Sequence, residues 1–233
     1  DSQECKDYMK LAYDISEMYD TVVLMRSGTR ISHSRGIVEL GERVVREKIP
    51  YVKNMQKYVA MPAMARKLHV AQEKRLHRIE ADAAEFAAGE GGTEKPLNRV
   101  EINDTKIGIV TSGICYQYVK EALPEASVLK LGLVNPLPKK IVADFAKEVE
   151  KLYVIEEGNP FLEEQIRAMG VPVYGGKDMF TIQGEYSARM IREGFGIENE
   201  AGALEEAGNE AKIADAPGRP PVLCAGCPHK GLF

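Results

Sequence analysis

Cys224 and Cys227 are separated by two residues and followed at once by Pro228 and His229. Thiolates at this spacing can ligate zinc or iron, or interconvert with a disulfide, because the intervening residues turn both sulfurs to one side. A tetrahedral site needs four ligands, and neither Cys5 nor Cys115 stands in a context that completes one. The missing ligands then lie beyond Phe233, or the pair has another role. Small residues in a tight turn beside Gly226 and Pro228 are the plain alternative.

Other polar strings are weaker. Thr111-Ser112-Gly113 sits between a strand pattern and a helix pattern, where a phosphate-binding loop would be, but Gly108 and Gly113 match neither the G-x-G-x-x-G spacing nor the Walker lysine. A tight strand-to-helix turn explains it at least as well. Glu156-Glu157-Gly158 falls at the C-terminal end of a strand, the edge on which α/β sheets bind ligands, though a carboxylate there also caps the next helix. In Arg30-Ile31-Ser32-His33-Ser34-Arg35-Gly36 the adjacent Ser and His are poorly placed for a triad, and positioning through Arg and His hydrogen bonds is the better reading. His69 and His77 need no more than a solvated helix surface.

The elements that must position these residues alternate. Tyr8, Leu11, Ala12, Ile15 and Met18 mark an amphipathic helix over residues 4–19 with Ser2 as N-cap, and Thr21-Val22-Val23-Leu24-Met25 reads as a buried strand. This opening resembles the tail of an α/β unit. Pro62 starts a long helix reaching Ala88, where Gly89 to Thr93 stop it. From Lys106, strands at 107–110, 127–133, 152–155 and 171–174 are separated by helices over 116–123, after Pro138, and after Pro160. That rhythm predicts a three-layer α/β domain with a mainly parallel sheet over 103–195. Residues 196–221 are acidic and rich in Ala, Gly and Pro, a linker by composition, and Val222 opens a segment that is cut off at Phe233.

Composition narrows the function classes. Over 233 residues, 31 basic and 35 acidic side chains leave a net charge of −4, which disfavours nucleic acid as a partner. No apolar run suits a membrane span, the N-terminus has no signal-like core, and four cysteines are too few for a disulfide scaffold. A cytoplasmic location is expected. Without an initiating Met, the chain reads as a piece of something longer.

Taken together, Thr29 to Gly36 and Arg219-Pro220-Pro221-Val222-Leu223-Cys224-Ala225-Gly226-Cys227-Pro228-His229-Lys230-Gly231 resemble the alpha subunit of the indolepyruvate ferredoxin oxidoreductases, thiamine-diphosphate-dependent 2-oxoacid:ferredoxin oxidoreductases. Ala225 stands where that family often has Pro. The resemblance implies a central fragment. Residues 1–36 would end the pyrimidine-binding domain, 37–102 form a helical connector, 103–195 a transketolase-C-terminal-like domain, 196–221 the linker, and 222–233 the start of the diphosphate-binding domain. It implies that the full enzyme decarboxylates arylpyruvates oxidatively to acyl-CoA, passing electrons to ferredoxin, with thiamine diphosphate, magnesium and iron–sulfur clusters as cofactors and a beta subunit as partner. Cys224 and Cys227 would be cluster ligands there and His229 would lie near the thiamine. No catalytic residue and no bound cofactor are expected in the fragment itself, whose role would be structural and interdomain. An independent nucleotide- or CoA-binding module is the alternative.

Overall fold

A computed structural model describes residues 1–43, 45, 47–86 and 96–198. The chain divides into two compact units, Asp1–Phe195 and Gly196–Phe233, and only 196–198 of the second are among the described residues.

Helix α1 spans Ser2–Tyr19. Its N-cap is Asp1 and not the expected Ser2: the Asp1 carboxylate accepts the Glu4 N–H at 2.9 Å while the Glu4 side chain reaches back to Asp1, a capping box. The buried stripe is Asp7, Leu11, Ile15 and Tyr19, and Met18 is exposed. Beyond Asp20, the expected strand at 21–25 does not form, and Leu24 is 90% exposed. A β-rich run needs a ladder partner, and none of the described strands lies beside it. Two short helices follow, α2 at Thr29–His33 and α3 at Met55–Tyr58. Helix α4, Pro62–Asp82, has Pro in its first turn as expected but ends before Ala88. Its last turn meets α1: Ile79, Ala83 and Phe86 pack with Leu11, Ile15, Tyr19 and Leu97. Tyr19 sits edge-on to Phe86 at 5.8 Å and donates its hydroxyl to Asp82 at 2.7 Å.

The α/β core follows in chain order: β1 Arg99–Glu101, β2 Asp104–Ser112, α5 Cys115–Ala122, β3 Ala126–Leu131, α6 Lys139–Lys147, β4 Lys151–Ile155, α7 Phe161–Ala168 and α8 Ala188–Gly194. The sheet order is β1-β3-β2-β4, with β2 parallel to both β3 and β4, and β1 antiparallel to β3. The sheet is mainly parallel, as the alternation of patterns implies, and β1 is the antiparallel edge that the charged Arg-Val-Glu triplet conceals. The strand expected at 171–174 is reduced to a bridge between Gly175 and Tyr153, flanked by Tyr174 N–H to Leu152 and Val154 N–H to Gly175 bonds. Pro172 offers no N–H to extend that ladder.

Side-chain alternation builds three layers. Ile109 and Val128 face α5 and α8 through Val119, Ala122 and Ile191, while Val110, Leu129 and Val154 face α6 and α7 through Val142, Phe145 and Ile166. The layers close to backbone distance at two glycines. A Cβ on Gly108 would stand 2.5 Å from the Val149 side chain, and one on Gly132 would stand 2.4 Å from the Leu97 carbonyl oxygen.

Helix α1 is seated on the sheet by charge. Lys130 on β3 is 4% exposed, its Nζ donates to the Glu4 carboxylate and it lies 4.5 Å from the centre of the Tyr116 ring. Beside it the Tyr116 hydroxyl donates to Glu101 at 2.7 Å, Arg99 lies 2.8 Å from Glu101 and Lys120 lies 2.9 Å from it. Burial acts to raise the Glu4 and Glu101 pKa values, but hydrogen bonds from Lys130 to Glu4 and from Lys120 and Tyr116 to Glu101 outweigh it, and both carboxyls are held below 4.5. Lys130 is itself pushed down from 10.5 by its burial.

Two expectations follow. Gly132→Ala costs about 2–3 kcal/mol because the obstructing atom is backbone, and Gly108→Ala costs less because the Val149 side chain can turn away; paired chemical-denaturation curves compare them. Glu4 and Glu101 have folded pKa values below their unfolded ones, so the stability they supply is present above pH 4.5 and drains as pH falls through the folded values. In the Glu4→Gln, Glu101→Gln double variant the acid-induced loss of melting temperature below pH 4.5 is smaller than in the parent chain.

Candidate functional site

β2 and β4 are neighbours whose following helices leave on opposite faces, α5 on one and α7 on the other. The gap beyond their carboxyl ends is the switch point at which open α/β sheets bind ligands. Both strings singled out for this edge, Thr111-Ser112-Gly113 and Glu156-Glu157-Gly158, are brought together here. Thr111 is fully buried and its hydroxyl donates to the Ile155 carbonyl at 2.7 Å, pinning the two strand ends. Gly113 has φ 59°, the left-handed value that lets the chain turn into α5 without a Cβ penalty.

Glu156 caps α7. Its two carboxylate oxygens accept the Leu162 N–H at 2.9 and 3.0 Å, and one also accepts the Glu163 N–H at 3.0 Å. The helix-cap reading of this carboxylate is the one the structure shows. Burial lifts its pKa above the ordinary value, against the two backbone donors and the Lys177 charge. Glu157 accepts the Tyr186 N–H at 2.9 Å and so ties the loop before α8 to the sheet edge.

The gap is filled by residues that belong to no sequence motif. Lys177 donates its Nζ to the Glu156 carbonyl and, at 2.8 Å, to the Tyr186 hydroxyl, which in turn donates to the Thr181 carbonyl. The Lys177 N–H is bonded to Glu163 at 2.8 Å, and Arg167 donates to the other Glu163 oxygen at 2.9 Å. Burial depresses the Lys177 pKa, and burial raises that of Tyr186 to about 12. The visible trace of this network in the sequence is Gly175-Gly176-Lys177: a Cβ on Gly176 would come within 2.2 Å of a Glu163 carboxylate oxygen. Cys115 lies at the start of α5 beneath this layer, buried, and its burial together with the Glu157 charge drives the thiol pKa up to about 12. Burial thus favours its neutral thiol form over the thiolate.

The remaining candidates separate. Arg30, in α2, forms an ion pair with Glu185 at 2.6 Å and stands 5.9 Å from the centre of the Tyr118 ring, a positioning contact of the kind expected of that string. His69 lies 3.4 Å from Glu73, one turn on, with both side chains exposed on the helix surface. Cys224, Cys227 and His229 lie outside the described residues. Among the described residues no three His, Cys, Asp or Glu side chains gather as a metal seat, and no helix is long and apolar enough to cross a membrane.

Parallel crossovers around a switch point define a small, doubly wound α/β domain. No family model matches the chain. Among curated proteins it is similar to indolepyruvate oxidoreductase subunit IorA of Archaeoglobus fulgidus, 36% identical over 99% of this chain. The subunits of that name from Methanothermobacter thermautotrophicus, 34% identical over 100% of it, and from Pyrococcus abyssi, 34% identical over 99%, are similar to the same extent. The chain is IorA-like along its whole length and spans 38% of the length of each of these relatives. A solved 2-oxoglutarate:ferredoxin oxidoreductase from Magnetococcus marinus aligns with 57% of this chain and 23% of its own, at 20% identity and a TM-score of 0.42.

Glu156→Ala leaves two buried N–H groups of α7 without an acceptor and is expected to cost about 2–4 kcal/mol in urea unfolding. Glu156→Gln keeps an acceptor oxygen and is expected to cost less than half of that.

Proposed function

We propose that this chain is the scaffold part of an indolepyruvate ferredoxin oxidoreductase alpha subunit. The supporting observation is similarity over the whole chain to subunits of that name. In this reading the complete protein oxidatively decarboxylates arylpyruvates such as indolepyruvate to acyl-CoA in the cytoplasm, passes electrons to ferredoxin, and works with a beta subunit. Residues 1–36, 37–102, 103–195, 196–221 and 222–233 are, in order, the end of the pyrimidine domain, the connector, the transketolase-C-terminal-like domain, the linker and the start of the diphosphate domain.

Thiamine diphosphate, magnesium and iron–sulfur clusters belong to this proposal as cofactors of the whole protein. The described residues do not fit them: no three metal-ligating side chains gather there, the Lys177 side chain is bonded to the Glu156 carbonyl, and the Glu156 carboxylate is taken up by the Leu162 and Glu163 N–H groups. Their seat therefore falls to other parts of the protein, with Cys224 and Cys227 as proposed cluster ligands and His229 as a proposed neighbour of the thiamine. The described part contributes geometry. Arg30 on Glu185 fixes the segment after α1 against the loop before α8, and Glu157 fixes that loop to the sheet.

The test is an anaerobic assay of indolepyruvate- and CoA-dependent ferredoxin reduction. The longest open reading frame containing this sequence, co-expressed with its second subunit and supplied with thiamine diphosphate, magnesium and iron–sulfur clusters, is expected to turn over, whereas the 233-residue chain stays at background. Turnover by the 233-residue chain, or none by the longer product, overturns the reading. Calorimetry with CoA and adenine nucleotides checks the other class: saturable binding by the 233-residue chain would make it a ligand module in its own right.

A further inference from the structure

Glu156, Lys177 and Tyr186 at the carboxyl edge of β2 and β4 are bonded to their own surroundings. Tyr118, in the first turns of α5, is different: its hydroxyl is buried and has no hydrogen-bond partner among the described residues. Buried hydroxyls are nearly always paired, because nothing else offsets the water they lose. Burial raises the Tyr118 pKa, and the charges that act on it next are those of Arg30, Glu157 and Glu185, so these three side chains stand around the hydroxyl. Both carboxylates are already engaged. Glu185 pairs with Arg30 at 2.6 Å, and Glu157 accepts the Tyr186 N–H at 2.9 Å. The hydroxyl is left as a donor among charged groups without an acceptor of its own.

Arg30 supplies the other half of a donor set. Its guanidinium lies 5.9 Å from the centre of the Tyr118 ring, and in its ion pair with Glu185 both side chains are more than half exposed. An exposed pair of this kind is weak, since water and salt screen it, so its carboxylate can be exchanged for another acceptor at small cost. There is room for the exchange. A Cβ on Gly158 or Gly184, the neighbours of Glu157 and Glu185, would meet nothing within 4 Å, and this is the edge on which open α/β sheets take ligands. A guanidinium beside a hydroxyl suits an oxyanion, whose oxygens accept from both at once, whereas Glu185 satisfies the guanidinium alone. We propose that Arg30 and Tyr118 form an oxyanion-binding subsite, held by Glu185 until the carboxylate or phosphate of a small ligand displaces it. The inference rests on these side chains, not on the oxidoreductase reading.

Nuclear magnetic resonance of the ¹⁵N-labelled 233-residue chain tests it, with sodium phosphate and sodium acetate titrated separately to about 20 mM at constant ionic strength, above the millimolar affinity that so few donors supply. The expected result is a saturable shift of the Arg30 Nε–H and the Glu185 amide with at least one of the two anions. Tighter binding of phosphate assigns the subsite to a phosphoryl ligand, and tighter binding of acetate to a carboxylate. Glu185→Gln is expected to tighten binding at least about threefold, because the competing carboxylate is gone. Arg30→Gln abolishes it. Tyr118→Phe is expected to weaken it about fivefold while leaving the circular-dichroism melt of the free chain unchanged, because the hydroxyl has no partner to lose. No saturable shift with either anion overturns the proposal, as does a Glu185→Gln variant that binds no tighter, or a Tyr118→Phe variant that binds as the parent does or melts lower. None of these outcomes bears on whether the longer protein reduces ferredoxin.

Discussion

A mainly parallel sheet only four strands wide is stable only if both of its faces are covered, and the rest of this domain follows from that requirement. β2 lies between β3 and β4, so consecutive residues Ile109 and Val110 must serve opposite layers, and both are fully buried. Two helices on each side supply the cover. The crossovers that place them there also determine where the chain turns, and it turns at the carboxyl ends of β2 and β4. The site region is therefore a by-product of covering the sheet, as are the close approaches at Gly108 and Gly132.

Covering the sheet brings polar backbone inside, and the switch point shows how it is satisfied. The amino end of α7 is buried, so its N–H groups need an acceptor, and Glu156 supplies one at the cost of a buried carboxylate. Lys177 offsets that charge from across the gap, and Glu163 binds both the Lys177 backbone and Arg167. Groups that in an open crevice would meet a ligand are here committed to one another.

The α/β rhythm was legible from 103 onward because buried strands are apolar runs and the amphipathic helices between them keep one apolar face. Three features were not. β1 pairs through backbone alone, and Arg99-Val100-Glu101 has no apolar pattern to reveal it. The run at 21–25 has strand composition but no strand beside it among the described residues, so composition misled. The crevice network joins Lys177 to Glu156 at the end of β4 and to Glu163 in α7, contacts distant in sequence that no spacing rule connects. Glu156 itself was readable as a cap, because a carboxylate just ahead of a helix start is a local signal. The pair Cys224 and Cys227, the strongest chemical string in the sequence, lies outside the described residues.

One buried charge links the core to the strap of exposed chain between α1 and α4. Lys130 emerges from β3 into an almost closed pocket, and an ammonium there is tolerable only while Glu4 and the Tyr116 ring face it. Glu4 is also half of the capping box that starts α1, so one carboxylate both begins the helix and seats it on the sheet. The strap is anchored at the two ends of that same helix, through Gln3 and Lys6 at one and Asp20 at the other. Loss of the Glu4 charge therefore loosens more than an ion pair. It weakens the cap, leaves Lys130 buried without its counter-ion, and frees the helix on which the exposed apolar segment depends for its position.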